Sequence, residues 1–214
     1  MQNLIDYSYV VKNYFTVDEC NNIIKKIESE GILRDNGSIY PLNGHTEDKD
    51  LITELQTKWE GLKEKYTRYI ESLSVISPNI SGNTKPIFVK YVVGHGIENH
   101  ADHIFIPFCK NHICRPVLSA VTLLNKDFEG GEFYILEQKI DMEIGDTIIF
   151  PSMFLYPHKV TPVSMALDIA WEFGFGSTFS QFRKHTRWTP SSSKRKLLCC
   201  FYGLFGYTAS QTHI

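Results

Sequence analysis

The chain has 214 residues, of which 43% are hydrophobic and 21% charged, which is the composition of an ordinary globular protein with a sizeable core. Its formal net charge of -2 gives no overall attraction to nucleic acid or to a membrane surface, and its apolar runs are too short to span a bilayer. The five cysteines form no C-x-x-C pair and the amino-terminal residues lack the pattern of a signal peptide, so we predict a cytoplasmic protein with reduced thiols.

The first part of the chain favours one strand followed by two helices. Residues 7–15 have the apolar and aromatic character of a strand. Thr16, followed three residues later by Glu19, forms a capping box, and an apolar stripe at helical spacing continues until Gly31. A second apolar stripe predicts a helix over residues 49–73. Polar, turn-rich segments predict loops at 34–48 and 77–86.

From Ile87 onward the sequence changes to short β-rich segments that Gly, Asn and Asp separate. This spacing is typical of an antiparallel sandwich or jelly roll. We therefore predict an α+β protein with a double-stranded β-helix (jelly-roll) core and supporting amino-terminal helices. The basic residues beyond Trp171 follow no clear period, which is more typical of a solvated tail than of a nucleic-acid patch. The predicted parts are a supporting strand and helices at 1–80, the jelly-roll domain at 81–175, and an irregular tail at 176–214.

The sequence Asn99-His-Ala-Asp-His103 contains the first candidate metal ligands. In an extended strand, residues two apart point to the same face, so His100 and Asp102 are expected to project together. Two histidines and one carboxylate are the usual ligands of non-haem Fe(II) oxygenases, because this set leaves coordination positions open. His158 begins a later apolar segment, and a jelly roll brings such distant strands together at its mouth.

Six motifs follow one another in this half of the chain. They are Tyr91-Val-Val-Gly94, His100-Ala-Asp102, Leu124-Asn125, Phe128-Glu-Gly-Gly-Glu132, Gly145-Asp146 with Phe150, and His158-Lys-Val-Thr-Pro-Val163. In this order they resemble the Fe(II)/2-oxoglutarate-dependent dioxygenases, specifically the prolyl 4-hydroxylase-like branch. The amino-terminal YFTVDECNNIIKKI is similar to the leading helix of that branch, so the resemblance covers most of the first 164 residues.

The resemblance implies a site and an activity. Its iron ligands correspond to His100, Asp102 and His158, Tyr91 corresponds to a tyrosine that contacts the cosubstrate, and Thr122 is expected to help hold the distal carboxylate of 2-oxoglutarate. The implied reaction is hydroxylation of an unactivated C–H bond, by analogy in a peptidyl proline. The implied cofactors are Fe(II) and the cosubstrate 2-oxoglutarate, with ascorbate as a further candidate. The implied partners are O2 and a protein or peptide substrate, with no membrane and no clear nucleic-acid signal.

One position departs from the family pattern. Asp168 stands where the family has a Lys or Arg that pairs with the distal carboxylate of 2-oxoglutarate. Losing one partner of such a charge pair costs roughly 2–5 kcal/mol, and reversing its sign should cost no less. One explanation is a diverged chain with another anchor, such as Lys90 or Lys159.

A second explanation is a shift of reading frame near Ser164. Back-translation of residues 165–173, read from the third base of the methionine codon, permits Gly-Thr-Arg-Tyr-Ser-Leu-Gly-Val, which is similar to the family's continuation and puts an arginine at position 168. The tail would then be out-of-frame translation. The functional alternatives are a catalytically impaired metal-binding jelly-roll module without the 2-oxoglutarate anchor, and a zinc hydrolase that uses the same ligands.

Overall fold

The computed structural model describes residues 2–34, 41–76, 83, 85–102, 117–166 and 170–175. It is an α+β protein, as predicted. Its helices are a short 3-10 helix at Leu4–Tyr7, α1 at Val17–Glu30 and α2 at Lys49–Ser72. Its strands are β1 (Tyr9–Val11), β2 (Leu42–Gly44), β3 (Ile87–Tyr91), β4 (Ile97–His100), β5 (Leu118–Leu123), β6 (Phe128–Gly130), β7 (Phe133–Ile135), β8 (Gln138–Lys139), β9 (Thr147–Pro151), β10 (His158–Val160), β11 (Val163–Ala166) and β12 (Ala170–Phe175).

Helix α1 begins and ends where its capping residues predict. The side chain of Thr16 accepts a hydrogen bond from Glu19 N (3.2 Å), and Glu19 Oε2 accepts one from Thr16 N (2.7 Å), which confirms the capping box. Gly31 ends the helix in the left-handed conformation, with φ of +60°. Such an amino-terminal cap typically contributes about 1 kcal/mol.

Helix α2 confirms the second apolar stripe. Asp48 caps it by accepting hydrogen bonds from Asp50 N (2.9 Å) and Leu51 N (3.0 Å). The buried face of the helix consists of Leu51, Leu55, Trp59, Leu62, Tyr66 and Ile70. Because these residues recur every three or four positions, they form one continuous surface that packs into the core.

Two sequence predictions need correction. The strand predicted over 7–15 covers only β1, because a 3-10 helix comes before it and a turn follows it. The loop predicted over 34–48 contains β2, which pairs with β3 at the edge of a sheet. A three-residue edge strand with the sequence Leu-Asn-Gly has no apolar alternation that a sequence pattern could detect. Most of the predicted loop 77–86 and all of the predicted tail 176–214 lie outside the described residues.

The strands form two main antiparallel sheets. The larger sheet has the order β1-β9-β5-β12-β3-β2, and the smaller has the order β4-β10-β7-β8, while β11 pairs with β6. One face of the larger sheet packs against α1 and α2 through side chains such as Leu118, Ala120 and Ile149. The opposite face carries Val121 and Phe150, which pack against residues of the smaller sheet. We call this second cluster the intersheet core; its buried members are Val89, Tyr91, Phe133, Ile135, Met142, Ile148, Phe150, Tyr156, Val160 and Val163.

Gly145 allows the chain before α1 to approach the start of β9. Its φ of +83° lies in the left-handed region, and a Cβ added there would stand 1.9 Å from the carbonyl oxygen of Phe15. The two residues also share a hydrogen bond from Phe15 N to Gly145 O (2.9 Å). Both the backbone conformation and the close contact therefore require glycine at this motif position.

Asp146, the other residue of this motif, fastens the same junction. Its buried carboxylate accepts hydrogen bonds from Lys12 Nζ (2.8 Å), Asn13 N (2.8 Å) and Glu143 N (2.7 Å). Burial alone would raise the pKa of Asp146, but these hydrogen bonds together hold it below its usual value. The Gly-Asp motif is thus structural in this protein, since it joins β1 to β9.

Within the described residues, no helix combines the length and the apolar character needed to cross a bilayer. The predicted cytoplasmic location stays a prediction.

Candidate metal centre

His100, Asp102 and His158 converge at one end of the smaller sheet. His100 ends β4, His158 begins β10, and the two residues pair directly across these neighbouring strands. Asp102 lies in a bend two residues after His100 rather than in the extended strand that the sequence predicted. One ligand atom from each of the three residues lies within 4.8 Å of the others.

The hydrogen bonds of the two histidines determine which ring nitrogen faces the cluster. The Nδ1 atom of His100 lies 2.8 Å from the carbonyl oxygen of Glu98, and that of His158 lies 3.2 Å from the carbonyl oxygen of Tyr156. A carbonyl oxygen only accepts, so each Nδ1 carries the hydrogen and donates it. In the neutral ring Nε2 then presents its lone pair, and this is the atom that lies 3.7 Å (His100) or 3.5 Å (His158) from Asp102 Oδ1.

The two oxygens of Asp102 have different surroundings. Oδ1 faces both Nε2 atoms, whereas Oδ2 accepts a hydrogen bond from Ser119 Oγ. Ser119 Oγ in turn lies 2.8 Å from Ser152 Oγ, and both serines are buried. The carboxylate is therefore held on one side by the large sheet and presents its other oxygen to the histidines.

Two phenylalanines pack against the ring of His158. The ring of Phe150 meets it edge-on at a centroid distance of 4.9 Å, and that of Phe133 lies at 5.9 Å. These contacts fix the plane of the imidazole and limit the access of water from the intersheet core.

The electrostatics favour metal-binding protonation states. Burial lowers the pKa of His100, and nearby His158 lowers it further, while Asp102 opposes this change. Burial alone would raise the pKa of Asp102, but the electrostatic effect of neighbouring His158 and the hydrogen bond from Ser119 hold it below its usual value. At neutral pH the His100 imidazole is therefore neutral and the Asp102 carboxylate ionised, as ligation of a metal requires.

The donor set fits a divalent cation of octahedral preference. Neighbouring ligands about 2.1 Å from such a cation lie about 3 Å apart, so small side-chain rotations would bring these three atoms to that spacing. Two imidazoles and one carboxylate on one face leave three positions open, which is the arrangement that non-haem Fe(II) oxygenases use.

The structure treats the two predicted cosubstrate residues differently. Tyr91 is buried in the intersheet core, on the same side of the larger sheet as Phe150. Thr122 lies three residues after Ser119 on β5, so strand alternation directs it to the opposite face, where its Oγ1 lies 2.7 Å from Thr147 Oγ1. Thr122 is thus not brought to the metal ligands, and its role in cosubstrate binding stays a prediction without a supporting contact.

Both lysines considered as replacement anchors point away from the metal site. Lys159 alternates with the inward-facing His158 and pairs with Glu137 at 2.5 Å. Lys90 alternates with the inward-facing Tyr91 and pairs with Glu28 at 3.0 Å. Asp168 itself lies outside the described residues, as does the segment 103–116.

Sequence reasoning missed Ser119 and Ser152. A signal was present, because each is a small hydroxyl residue beside an otherwise apolar strand segment, in PVLSAV and IIFPS. A buried hydroxyl in such a position requires a hydrogen-bond partner.

Comparison with known proteins gives similarity at the level of structure. No protein-family profile and no curated protein sequence matches the chain. Among solved structures, the 2OG complex of the viral collagen prolyl hydroxylase vCPH from Paramecium bursaria Chlorella virus-1 aligns with a TM-score of 0.61 and 16% identity, covering 79% of this chain and 93% of that one.

Two cellular proteins align similarly. A prolyl-4-hydroxylase from Pseudomonas putida gives a TM-score of 0.59 and 16% identity over 78% of this chain and 90% of that one. A prolyl hydroxylase from Trichoplax adhaerens was solved in complex with a hypoxia inducible factor oxygen degradation domain peptide fragment. It aligns with a TM-score of 0.59 and 14% identity, covering 79% of this chain and 82% of that one. The chain therefore has the fold of the prolyl hydroxylases, and the resemblance predicted from its motifs is confirmed at that level.

Proposed function

We propose that this chain is an Fe(II)- and 2-oxoglutarate-dependent dioxygenase that hydroxylates an unactivated C–H bond. The observation that carries the proposal is the convergence of His100 Nε2, Asp102 Oδ1 and His158 Nε2 in a protein with the prolyl hydroxylase fold. The presence of 2OG in the complex of the viral neighbour supports 2-oxoglutarate as the cosubstrate.

We also propose that the two sheets form a double-stranded β-helix. Along the chain, β3, β5, β9 and β12 belong to the larger sheet, while β4, β7 and β10 belong to the smaller one. The chain therefore crosses repeatedly between facing sheets, which is how a jelly roll winds. This assigns residues 1–80 to support, 81–175 to the catalytic core and 176–214 to a tail.

In this proposal each protein group has a defined task. The three ligands would hold the metal, and such a ligand set leaves three positions for 2-oxoglutarate and O2. When bound, the iron supplies the oxidative chemistry that converts 2-oxoglutarate, O2 and R–H to succinate, CO2 and R–OH. The rings of Phe133 and Phe150 keep water from the back of His158. Tyr91 offers a phenol to the cosubstrate from the larger sheet.

The proposed substrate is a peptidyl proline. It is supported by the Trichoplax neighbour, which was solved with a bound peptide fragment. Ascorbate remains part of this proposal as the reductant that keeps the iron in its ferrous state.

A second candidate, the impaired metal-binding module, is favoured by one observation. Lys90 and Lys159, the two lysines considered as substitutes for the anchor that Asp168 does not provide, both lie on strand faces directed away from the metal ligands. Fe(II)-dependent succinate formation from 2-oxoglutarate separates the candidates when the native chain is compared with Asp168→Arg. His158→Ala serves as the background control.

We expect Asp168→Arg to form succinate at least about 10-fold faster than the native chain at low 2-oxoglutarate, because an added ion pair restores roughly 2 kcal/mol or more of binding. If both proteins bind Fe(II) and neither forms succinate above the His158→Ala background, the dioxygenase is wrong and the binding module stands. The DNA sequence tests the frame shift separately, since codons that cannot encode Gly-Thr-Arg-Tyr in the shifted frame rule it out.

A further inference from the structure

We propose that Ser119 and Ser152 form a positioning pair that holds Asp102 in one-oxygen ligation of the metal. This inference rests on the proposed metal site and assigns a task to two residues outside the ligand set. Ser119 lies on β5 of the larger sheet and Ser152 directly follows β9 of the same sheet, whereas the histidine ligands belong to the smaller one. The geometry of the metal is thus set from both sheets.

The direction of the hydrogen bonds follows from the chemistry of the groups. An ionised carboxylate only accepts, so the single hydroxyl hydrogen of Ser119 is donated to Asp102 Oδ2. The 2.8 Å contact between the two serine hydroxyls must then take its hydrogen from Ser152. The order of donation is Ser152 to Ser119 to Asp102, and each bond polarises the next.

This chain of bonds separates the roles of the carboxylate oxygens. Oδ1 lies 3.5 Å and 3.7 Å from the two histidine Nε2 atoms, while Oδ2 is engaged by Ser119. Binding through both oxygens would require rotating the carboxylate and breaking that bond. It would also occupy a second metal position and leave two open positions instead of three.

Burial and a backbone hydrogen bond hold the serine pair in place. Ser119 and Ser152 are 3% and 1% exposed, so each hydroxyl depends on the other groups of this chain of bonds for hydrogen bonding. Ser152 is further fixed by its backbone, because Ser152 N donates to the carbonyl oxygen of Val117 (3.0 Å), two residues before Ser119. A local backbone bond therefore holds the two serines side by side.

The experiment counts the water molecules coordinated to bound Mn(II), a cation that takes octahedral oxygen and nitrogen ligands. Each coordinated water broadens the EPR lines of Mn(II) when the water is enriched in 17O. We expect three waters in the native chain and two in Ser119→Ala, because the released carboxylate then binds through both oxygens. We also expect Mn(II) affinity to fall about 10-fold or more, as is typical when a group that orients a ligand is removed. Ser152→Ala should weaken Mn(II) binding in the same direction.

The same strands offer a matched control. The hydroxyls of Thr122 and Thr147 form a second buried pair between β5 and β9, 2.7 Å apart, on the face directed toward the helices. Thr147→Val removes one hydroxyl there, so it should change stability without changing the water count or the affinity for Mn(II). A loss of affinity in this control equal to that in Ser119→Ala would assign the effect to general destabilisation and overturn the proposal.

The outcomes separate this inference from the proposed function. Mn(II) binding that is absent from the native chain, or unchanged in His158→Ala, overturns the metal site and the pair with it. Three waters and native affinity in Ser119→Ala overturn the pair alone. If Ser119→Ala does not fold, Ser152→Ala decides, and native affinity in that variant overturns the pair.

Discussion

Replacing Gly145 with alanine tests the close junction between the segment before α1 and the start of β9. The added Cβ would stand 1.9 Å from Phe15 O, at a position whose φ is +83°. The left-handed backbone costs roughly 1–2 kcal/mol. Relief of the contact must move a backbone carbonyl, which costs about 1–3 kcal/mol by analogy with overpacking. Loss of the hydrogen bond from Phe15 N adds about 1 kcal/mol.

The expected loss is therefore about 3–6 kcal/mol, a large part of the roughly 5–15 kcal/mol that stabilises a typical domain. Gly31→Ala is the matched control, because Gly31 has φ of +60° but nothing within 4 Å of the added Cβ. It should lose only about 1 kcal/mol. Urea unfolding followed by the fluorescence of buried Trp59 and by circular dichroism measures both losses. Equal losses in the two variants would refute the close approach of Phe15 to Gly145.

Three further substitutions test the fold and the site. Asp146→Asn should lower the free energy of unfolding by about 2–3 kcal/mol at neutral pH, since it removes a buried, hydrogen-bonded charge. Because the folded-state pKa of Asp146 is lowered, this stabilisation is present above the unfolded value of about 3.9 and is lost as the pH falls through the folded pKa. Urea unfolding at several pH values should show that the difference in stability between Asp146→Asn and the native chain disappears below about pH 4. A difference in stability that does not depend on pH would contradict this. Tyr66→Phe should cost about 1–2 kcal/mol in the same assay, because the Tyr66 hydroxyl donates to Tyr7 O at 2.8 Å, and an unchanged stability would show that this bond contributes nothing. His158→Ala should weaken Mn(II) binding by at least about 100-fold in a calorimetric titration, since it removes a ligand rather than a group that orients one, and native affinity would place the metal elsewhere.

The sequence predicted the helices well because their signals are local. The capping box of Thr16 and Glu19 and the apolar stripes that follow are read within a few residues of one another, and the structure confirms them. The convergence of His100 with His158 was also predictable, although the two residues are 58 positions apart and no local pattern connects them. The order of the motifs supplied the topology.

The face of each β5 residue could not be predicted in the same way. Leu118, Ser119 and Ala120 are consecutive and all buried, because helices cover one face of β5 and the intersheet core covers the other. A strand buried on both faces has no polar–apolar alternation, so its sequence does not reveal which residues point to the metal. Thr122, which the family resemblance placed at the site, faces the helices, and Ser119 was overlooked although it contacts Asp102.

The hydrogen bond from Ser119 to Asp102 has a consequence for how the protein comes apart. It ties Asp102, which follows β4 of the smaller sheet, to Ser119 of the larger sheet, so separating the sheets at this end breaks the hydrogen bond or displaces Asp102. A cation bound by His100, Asp102 and His158 would link the two sheets. Its release would then be coupled to the separation of the sheets. At a free metal concentration 100 times the dissociation constant, such a link adds about 2.7 kcal/mol to the free energy of unfolding. Metal supply would then govern the stability of the folded chain as well as its chemistry.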